Sequence, residues 1–210
     1  MSIVVHHLEN SRSQRILWML EELGLDYDVK RYARDPKSML APPELRRVHA
    51  LGKSPAIEHG GRVIVETGAI VEYLVELADG QLGPAPHRDE ILRYRQFLHY
   101  AEGSLMPPLL VMLVITRLGL LGKPARPRIQ AMIDQHLTWL EQELSVRPWF
   151  AGDNFTAADI MMSFPLEAAR QRAGLNARDH PNLSAWLERI HARPAYRAAL
   201  GKGGPYAFAD

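Results

Sequence analysis

Two hydrophobic periodicities alternate through the first 78 residues, and only one of them continues beyond. Ile3 to Val5 is a short β-branched run that reads as a buried strand. Ser11 or Ser13 can cap the helix that follows. Its apolar positions Ile16, Leu17, Leu20 and Leu23 share one face, and Gly24 stops it. Tyr27 to Tyr32 alternates as a second strand. Pro42-Pro43-Glu44 opens a short second helix, since proline is tolerated in a first turn. Ala56-Ile57-Glu58 and Arg62 to Glu66 flank His59-Gly60-Gly61, a hairpin signal. Thr67 then caps a helix carrying Ile70, Val71, Leu74 and Leu77. A strand–helix–strand half joined to a hairpin and a closing helix predicts an α/β domain of order βαβαββα. Its four-stranded mixed sheet is covered by helices.

Gly80 to His87, with Pro84 and Pro86, reads as a linker, and no strand pattern follows it. A long helical pattern over 89–118 carries a kink at Pro107-Pro108. Further helices are expected near 126–145, 156–172 and 183–191, with a short one near 195–200, punctuated by Gly174, Pro181 and Pro194. The expected division is therefore 1–79 for the α/β domain, 80–88 for the linker and 89–210 for an all-helical bundle. Trp139, Trp149 and Trp186 are assigned to the core of that bundle.

The composition excludes several functions. Of 210 residues, 47% are apolar and 23% charged, an ordinary globular balance. The net charge is +1, with 10 basic and 11 acidic residues up to position 78 and 15 and 13 after it. Neither part is strongly basic, which argues against nucleic acid as a partner. The chain has no cysteine, so disulfides, thiolate metal sites and an enzyme-borne thiol nucleophile are excluded. Nine histidines show no metal-ligand spacing, and no metal is expected. The N-terminus lacks the basic and apolar regions of a signal peptide, and the apolar stretch from Leu105 to Thr116 is interrupted by two prolines. A spanning helix needs about 20 apolar residues, so a cytoplasmic protein without a membrane partner is expected. Arg46-Arg47 reads as a solvated helix face.

Three junctions carry the candidate chemistry. At Asn10-Ser11-Arg12-Ser13 a strand gives way to a helix, whose unpaired N–H groups favour an anion. A serine there can donate to that anion, or simply cap the helix. At Lys53-Ser54-Pro55 a proline enters a strand, where it lacks the ladder N–H. A cis bond there would leave the Ser54 backbone free to pair with an extended peptide. At Glu66-Thr67-Gly68 another strand meets a helix. Glu66 can hold an ammonium and Thr67 a carboxylate, or the pair is a surface acid beside a cap. Together the three could bind a small zwitterionic peptide along a sheet edge.

These residues are recognisable as a set. Ser11 to Gly24, reading SRSQRILWMLEELG, resembles the opening of a glutathione S-transferase. Gly52-Lys53-Ser54-Pro55 resembles that family's cis-proline loop, and Glu66-Thr67 sits at its Glu-Ser pair. Phe155-Thr156-Ala157-Ala158-Asp159-Ile160 resembles the capping box of its second domain. Tyr100 to Leu109 is similar to the bacterial and fungal branch of yeast-type Gtt enzymes. The resemblance implies a thioredoxin-like first domain, an all-helical second domain and a homodimer. It implies glutathione as co-substrate, with no permanently bound cofactor, and a hydrophobic electrophile as the second substrate. By the same resemblance Ser11 stabilises the glutathione thiolate, with Asn10 and Arg12 as alternatives. Lys53, Ser54, Pro55 (in cis), Glu66 and Thr67 hold glutathione. Gln14 departs from the pattern, since such enzymes often carry Ser or Cys there. Met106, Leu109, Leu110 and Leu113 are expected to line an apolar pocket, or else to be core. The competing expectation is a non-catalytic module of the same fold that works through protein contacts.

Overall fold

The computed structural model describes residues 2–209. Two compact units form, one running through Gly83 and resuming from His191 onward, the other spanning Pro84–Ile190.

In the first unit, β1 (Ile3–Leu8), α1 (Ser13–Leu23) and β2 (Tyr27–Tyr32) precede a four-residue helix α2 (Leu45–Val48). β3 (Ala56–His59), β4 (Arg62–Val65) and α3 (Thr67–Leu77) follow. The sheet order is β2-β1-β3-β4. β1 runs parallel to β2, with Ile3 opposite Tyr27, and antiparallel to β3, with His6 opposite Ala56. β4 closes the hairpin antiparallel to β3, Ala56 facing Val65. The hairpin turns at Gly60 and Gly61, both with positive φ (56° and 74°), which side-chain-bearing residues resist. This is the expected mixed sheet. β1 is longer than the β-branched run suggested, because His6, His7 and Leu8 also pair with β2.

Two helix starts differ from expectation. α1 begins at Ser13 behind Arg12, and α3 begins at Thr67 behind Glu66; neither flanking residue caps with its side chain. Ser11 still serves the α1 start from one residue further out, since its Oγ accepts the Ser13 N–H at 3.2 Å.

Unit two contains α4 (Arg88–Tyr100), a π-helical stretch Ala101–Leu105, α5 (Met106–Arg117) and a 3₁₀ segment Gly119–Ala125. α6 (Arg126–Val146), α7 (Ala157–Arg172) and α8 (Pro181–His191) follow. Pro107 and Pro108 have no N–H for the preceding turn, and the widened π-helical turn lies immediately before them. The run 88–117 is long and apolar enough to cross a bilayer by length and composition, and 44% of its most apolar window is buried inside the structure. Phe97 stacks on Trp139 at 5.6 Å between centroids and meets Phe150 at 4.9 Å, and Phe150 meets the fully buried Trp186 at 5.0 Å. Trp139 and Trp149 are only half-buried; Trp149 lies under the Arg189 guanidinium, 4.1 Å from its ring centre.

The expected helical domain 89–210 needs correction at its end. α9 (Pro194–Gly203) and the tail after it belong with the first unit, on α1. The Trp18 and Tyr196 rings meet edge to face at 5.2 Å. The Arg193 guanidinium grips both Glu22 carboxylate oxygens, Nη2 to Oε2 at 2.8 Å. Lys202 Nζ stands 2.6 Å from Glu21 Oε1, and Arg31 Nε donates to the Lys202 carbonyl at 2.8 Å. Helical periodicity alone gave no sign of which sheet or bundle these residues would pack on.

Candidate active site

Strand register brings the three junctions together. β1 ends at Leu8, beside the start of β3, and β4 ends at Val65, opposite Ala56. The Asn10–Ser11 turn, the Ser54–Pro55 segment and Glu66–Thr67 therefore lie at one end of the first unit's sheet. One amide links two of them: the Leu8 N–H donates to Ser13 Oγ at 3.2 Å and to Ser54 Oγ at 3.3 Å. Ser54 Oγ in turn donates to the His6 carbonyl at 2.8 Å. The Ser54–Pro55 peptide is cis. Lys53 is exposed beside it.

Glu66 has φ +69°, a region that non-glycine residues rarely occupy and that clusters at functional sites. Its side chain is exposed, whereas Thr67 is buried at the start of the 11-residue α3. Asn10 also has positive φ (49°), which asparagine tolerates. Its Oδ1 accepts the Ala207 N–H at 2.7 Å.

Ser11 is buried, and its Oγ lies 2.8 Å from Ser13 Oγ. Ser13 Oγ lies 2.9 Å from His7 Nδ1. Burial pushes the His7 imidazole down to about 4, and the Arg31 charge pushes the same way; the Gly203 backbone and Glu9 pull it up. His7 is therefore neutral near pH 7. In the neutral tautomer with Nδ1 unprotonated, Nδ1 accepts the single Ser13 hydroxyl hydrogen. In that tautomer the hydrogen between the two serines belongs to Ser11. That is a hydrogen free to turn toward an anion, while the Ser13 N–H keeps the Ser11 oxygen in place.

Sequence reasoning missed His7, Ser13 and the tail. Part of the signal was present, because adjacent histidines on a strand face opposite sides and one of them must meet α1. Gln14, the departure from the family pattern, is buried against Gly203, and neither its amide nitrogen nor its oxygen has a partner. Arg12 is half-buried at the α1 start. Among the four residues expected to line a pocket, Met106 and Leu109 are buried in the second unit, Leu113 is half-buried and Leu110 exposed. A cavity of about 310 Å³ in that unit is lined by Ile115, Thr116, Gly119, Leu120, Gly122, Lys123 and Arg126. Among the described residues no group of three or more His, Cys, Asp or Glu could hold a metal ion.

The glutathione S-transferase N-terminal domain model matches residues 2–76, and the C-terminal domain model matches residues 123–189. The chain belongs to the glutathione S-transferase family. Glutathione S-transferase 3 of Schizosaccharomyces pombe is 34% identical over 95% of this chain and 87% of its own length. Glutathione S-transferase 1 of Saccharomyces cerevisiae is 31% identical over 95% and 94%. A glutathione S-transferase structure from Actinobacillus pleuropneumoniae shares 33% identity, covers 99% of this chain and 95% of its own, and superposes with a TM-score of 0.86. A sphingomonad glutathione S-transferase complexed with glutathione, at 23% identity and a TM-score of 0.80, shares the fold.

Proposed function

We propose that this transferase-family protein binds glutathione at the end of its first sheet, activates it as a thiolate and transfers its sulfur to hydrophobic electrophiles. As a second use, the same thiolate attacks the terminal oxygen of a hydroperoxide, and the O–O bond breaks to release the alcohol. A second glutathione then turns the sulfenic acid formed into glutathione disulfide and water. The observation that carries this reading is the meeting of the Asn10–Ser11 turn, the cis Ser54–Pro55 segment and Glu66–Thr67 at one sheet end in a member of this family. The curated relatives named as glutathione S-transferases, and the glutathione-bound sphingomonad protein, support it.

On this reading the Ser54 backbone pairs with the cysteinyl part of glutathione. Glu66 takes the γ-glutamyl ammonium, Thr67 its carboxylate, and Lys53 a further carboxylate. Ser11 serves the sulfur. A free thiol has pKa about 8.5, so only a few per cent is ionised near pH 7. Lowering it by about two units requires about 2.7 kcal/mol of preferential anion stabilisation. The α1 N-terminus supplies up to about 2 kcal/mol when partly buried, and a hydroxyl donating to a charge about 1.5–3 kcal/mol. The two together suffice. The thiol proton leaves to solvent, and the thiolate attacks an electrophilic carbon while the leaving group departs with the displaced electron pair. The second substrate takes the apolar surface of the helical unit, with Met106, Leu109, Leu110 and Leu113 as its proposed neighbours. The resemblance further implies a cytoplasmic homodimer, whose assembly sedimentation would report.

Calorimetry with glutathione and turnover of an aryl halide, a hydroperoxide and an unsaturated carbonyl test the reading together. Binding with turnover of at least one is expected. Binding of glutathione without turnover of any would leave only a binding module and overturn the enzymatic reading.

A further inference from the structure

We propose that the C-terminal segment Gly203–Phe208 is a positioning element for the Asn10–Ser11 turn, acting through the Ala207 N–H. The inference rests on the reading of that turn as the segment that activates the thiol.

Asn10 is held from far along the chain. Its Oδ1 takes the Ala207 N–H at 2.7 Å across 197 positions, and its backbone carbonyl takes the Arg34 guanidinium at 3.3 Å. A positive φ in a non-glycine residue persists where surrounding contacts over-determine it. With Oδ1 occupied, the Asn10 amide is fixed in direction, and its NH₂ is the group left to face an anion. Ala207 gives only its backbone, while its neighbours Tyr206 and Phe208 are buried and pack ring against ring at 5.4 Å. The tail thus has its own anchors and does not depend on Asn10 to stay in place.

The other half of the turn is reached through Gly203. Its backbone packs close to α1 and favours the protonated form of the His7 ring, whose Nδ1 meets Ser13 Oγ, which meets Ser11 Oγ. Only glycine allows this approach, because a Cβ at 203 would collide with Gln14 Oε1 and come within 3.0 Å of Leu17 Cδ1. One short segment therefore braces Asn10 directly and packs at Gly203 against Gln14 and Leu17 of the helix that follows Ser11.

The test is Ala207→Pro, which removes one N–H. Three quantities are read: ionisation of bound glutathione by ultraviolet thiolate absorbance against pH, glutathione affinity by calorimetry, and the thermal midpoint. The bound thiol should rise by about half to one pKa unit, the loss of one neutral hydrogen bond's positioning, with affinity held within about twofold. Ala207→Gly keeps the N–H and should shift the thiol far less. In an Asn10→Ala background, Ala207→Pro should add no further shift. A lowered thermal midpoint with an unmoved thiol would reduce the tail to a structural strap and overturn the proposal, as would a fully additive shift in the Asn10→Ala background. If Ala207→Pro does not fold, Tyr206→Leu loosens the anchor while keeping every backbone group. It should raise the thiol in the same direction, and an unmoved value overturns the proposal. Ser11→Ala is titrated alongside. If neither it nor Asn10→Ala moves the thiol, the reading of the turn fails; if either moves the thiol and Ala207→Pro does not, only the positioning role fails.

Discussion

Ser13 Oγ lies 2.9 Å from Nδ1 of His7, and through that contact a buried neutral imidazole reaches the turn that holds Ser11. A hydroxyl has one hydrogen to give, and here three acceptors surround it: His7 Nδ1, the Leu8 carbonyl at 3.3 Å and Ser11 Oγ at 2.8 Å. The unprotonated ring nitrogen is the strongest of the three. Its claim on that hydrogen leaves the Ser11 hydroxyl as the donor at the outer end of the chain.

The acid sensitivity of the fold should follow from His7. Between about pH 6.5 and about pH 4 an unfolded chain binds a proton at this residue that the folded chain refuses. The unfolded state then carries more protons, so stability falls as pH drops through that window and is regained as pH rises above it. The difference amounts to up to about 3 kcal/mol for a shift of this size. Denaturant unfolding of the parent protein and of His7→Asn at pH 7 and pH 4.5 checks it. The variant should lose clearly less stability between the two; equal losses would mean that His7 is not the group refusing the proton.

Glu66 should matter for binding and little for folding. Its carboxylate is exposed and makes no hydrogen bond within the described chain, while its backbone holds φ +69°. Alanine can inherit that conformation at similar cost, so the thermal midpoint should barely move. Removing the partner of a bound ammonium typically costs about 2–5 kcal/mol of affinity. Glu66→Ala should therefore weaken glutathione binding at least thirtyfold by calorimetry, and an unchanged dissociation constant would take Glu66 out of the site.

Local chemistry was legible in the sequence and long-range packing was not. The hairpin at Gly60-Gly61 and the capping box at Thr156 and Asp159 are both formed as expected, since each is decided within a few residues. The mixed sheet followed from the order of periodicities. The packing of α9 on α1 was invisible, because it depends on pairs such as Arg193 with Glu22, which are 171 positions apart. The same distance hid the Ala207–Asn10 bond. The expected caps, Ser11 or Ser13 and Thr67, were each misplaced by one residue, since serine or threonine near a strand end is a cap signal whichever residue turns the corner.

Asp159 should be the residue on which the helical unit depends most. It is completely buried, and burial raises its carboxyl to about 6 against four donors that favour its charged form. Those donors are the Phe150 N–H at 3.1 Å, the Thr156 N–H at 3.0 Å, the Thr156 hydroxyl at 3.3 Å and the Trp186 indole at 3.3 Å. Asp159→Ala removes a helix cap and strands buried donors at once. The expected cost is on the order of 3 kcal/mol in chemical unfolding. A loss below about 1 kcal/mol would show that the donors find water or other partners.

Ser11→Ala should raise the pKa of bound glutathione while leaving its affinity nearly unchanged. The holding contacts are assigned to Glu66 and Thr67, whereas the Ser11 hydroxyl discriminates thiolate from thiol, a difference between two protonation states. Its Oγ is held by the Ser13 N–H at 3.2 Å, and with His7 Nδ1 unprotonated its hydrogen is the mobile one of the serine pair. Turning that hydrogen from Ser13 to a thiolate exchanges a neutral hydrogen bond for a charged one, which is roughly twice as strong. Losing about 1.5–3 kcal/mol of charged hydrogen bonding corresponds to a rise of about one to two pKa units. The pH profile of conjugation should move up by the same amount, and alkaline buffer should restore most of the mutant's rate. Thiolate absorbance of the complex, titrated in parent and variant, measures this directly. An unmoved titration would leave Ser11 as the partner of the α1 start only, and Asn10→Ala would then be expected to carry the shift.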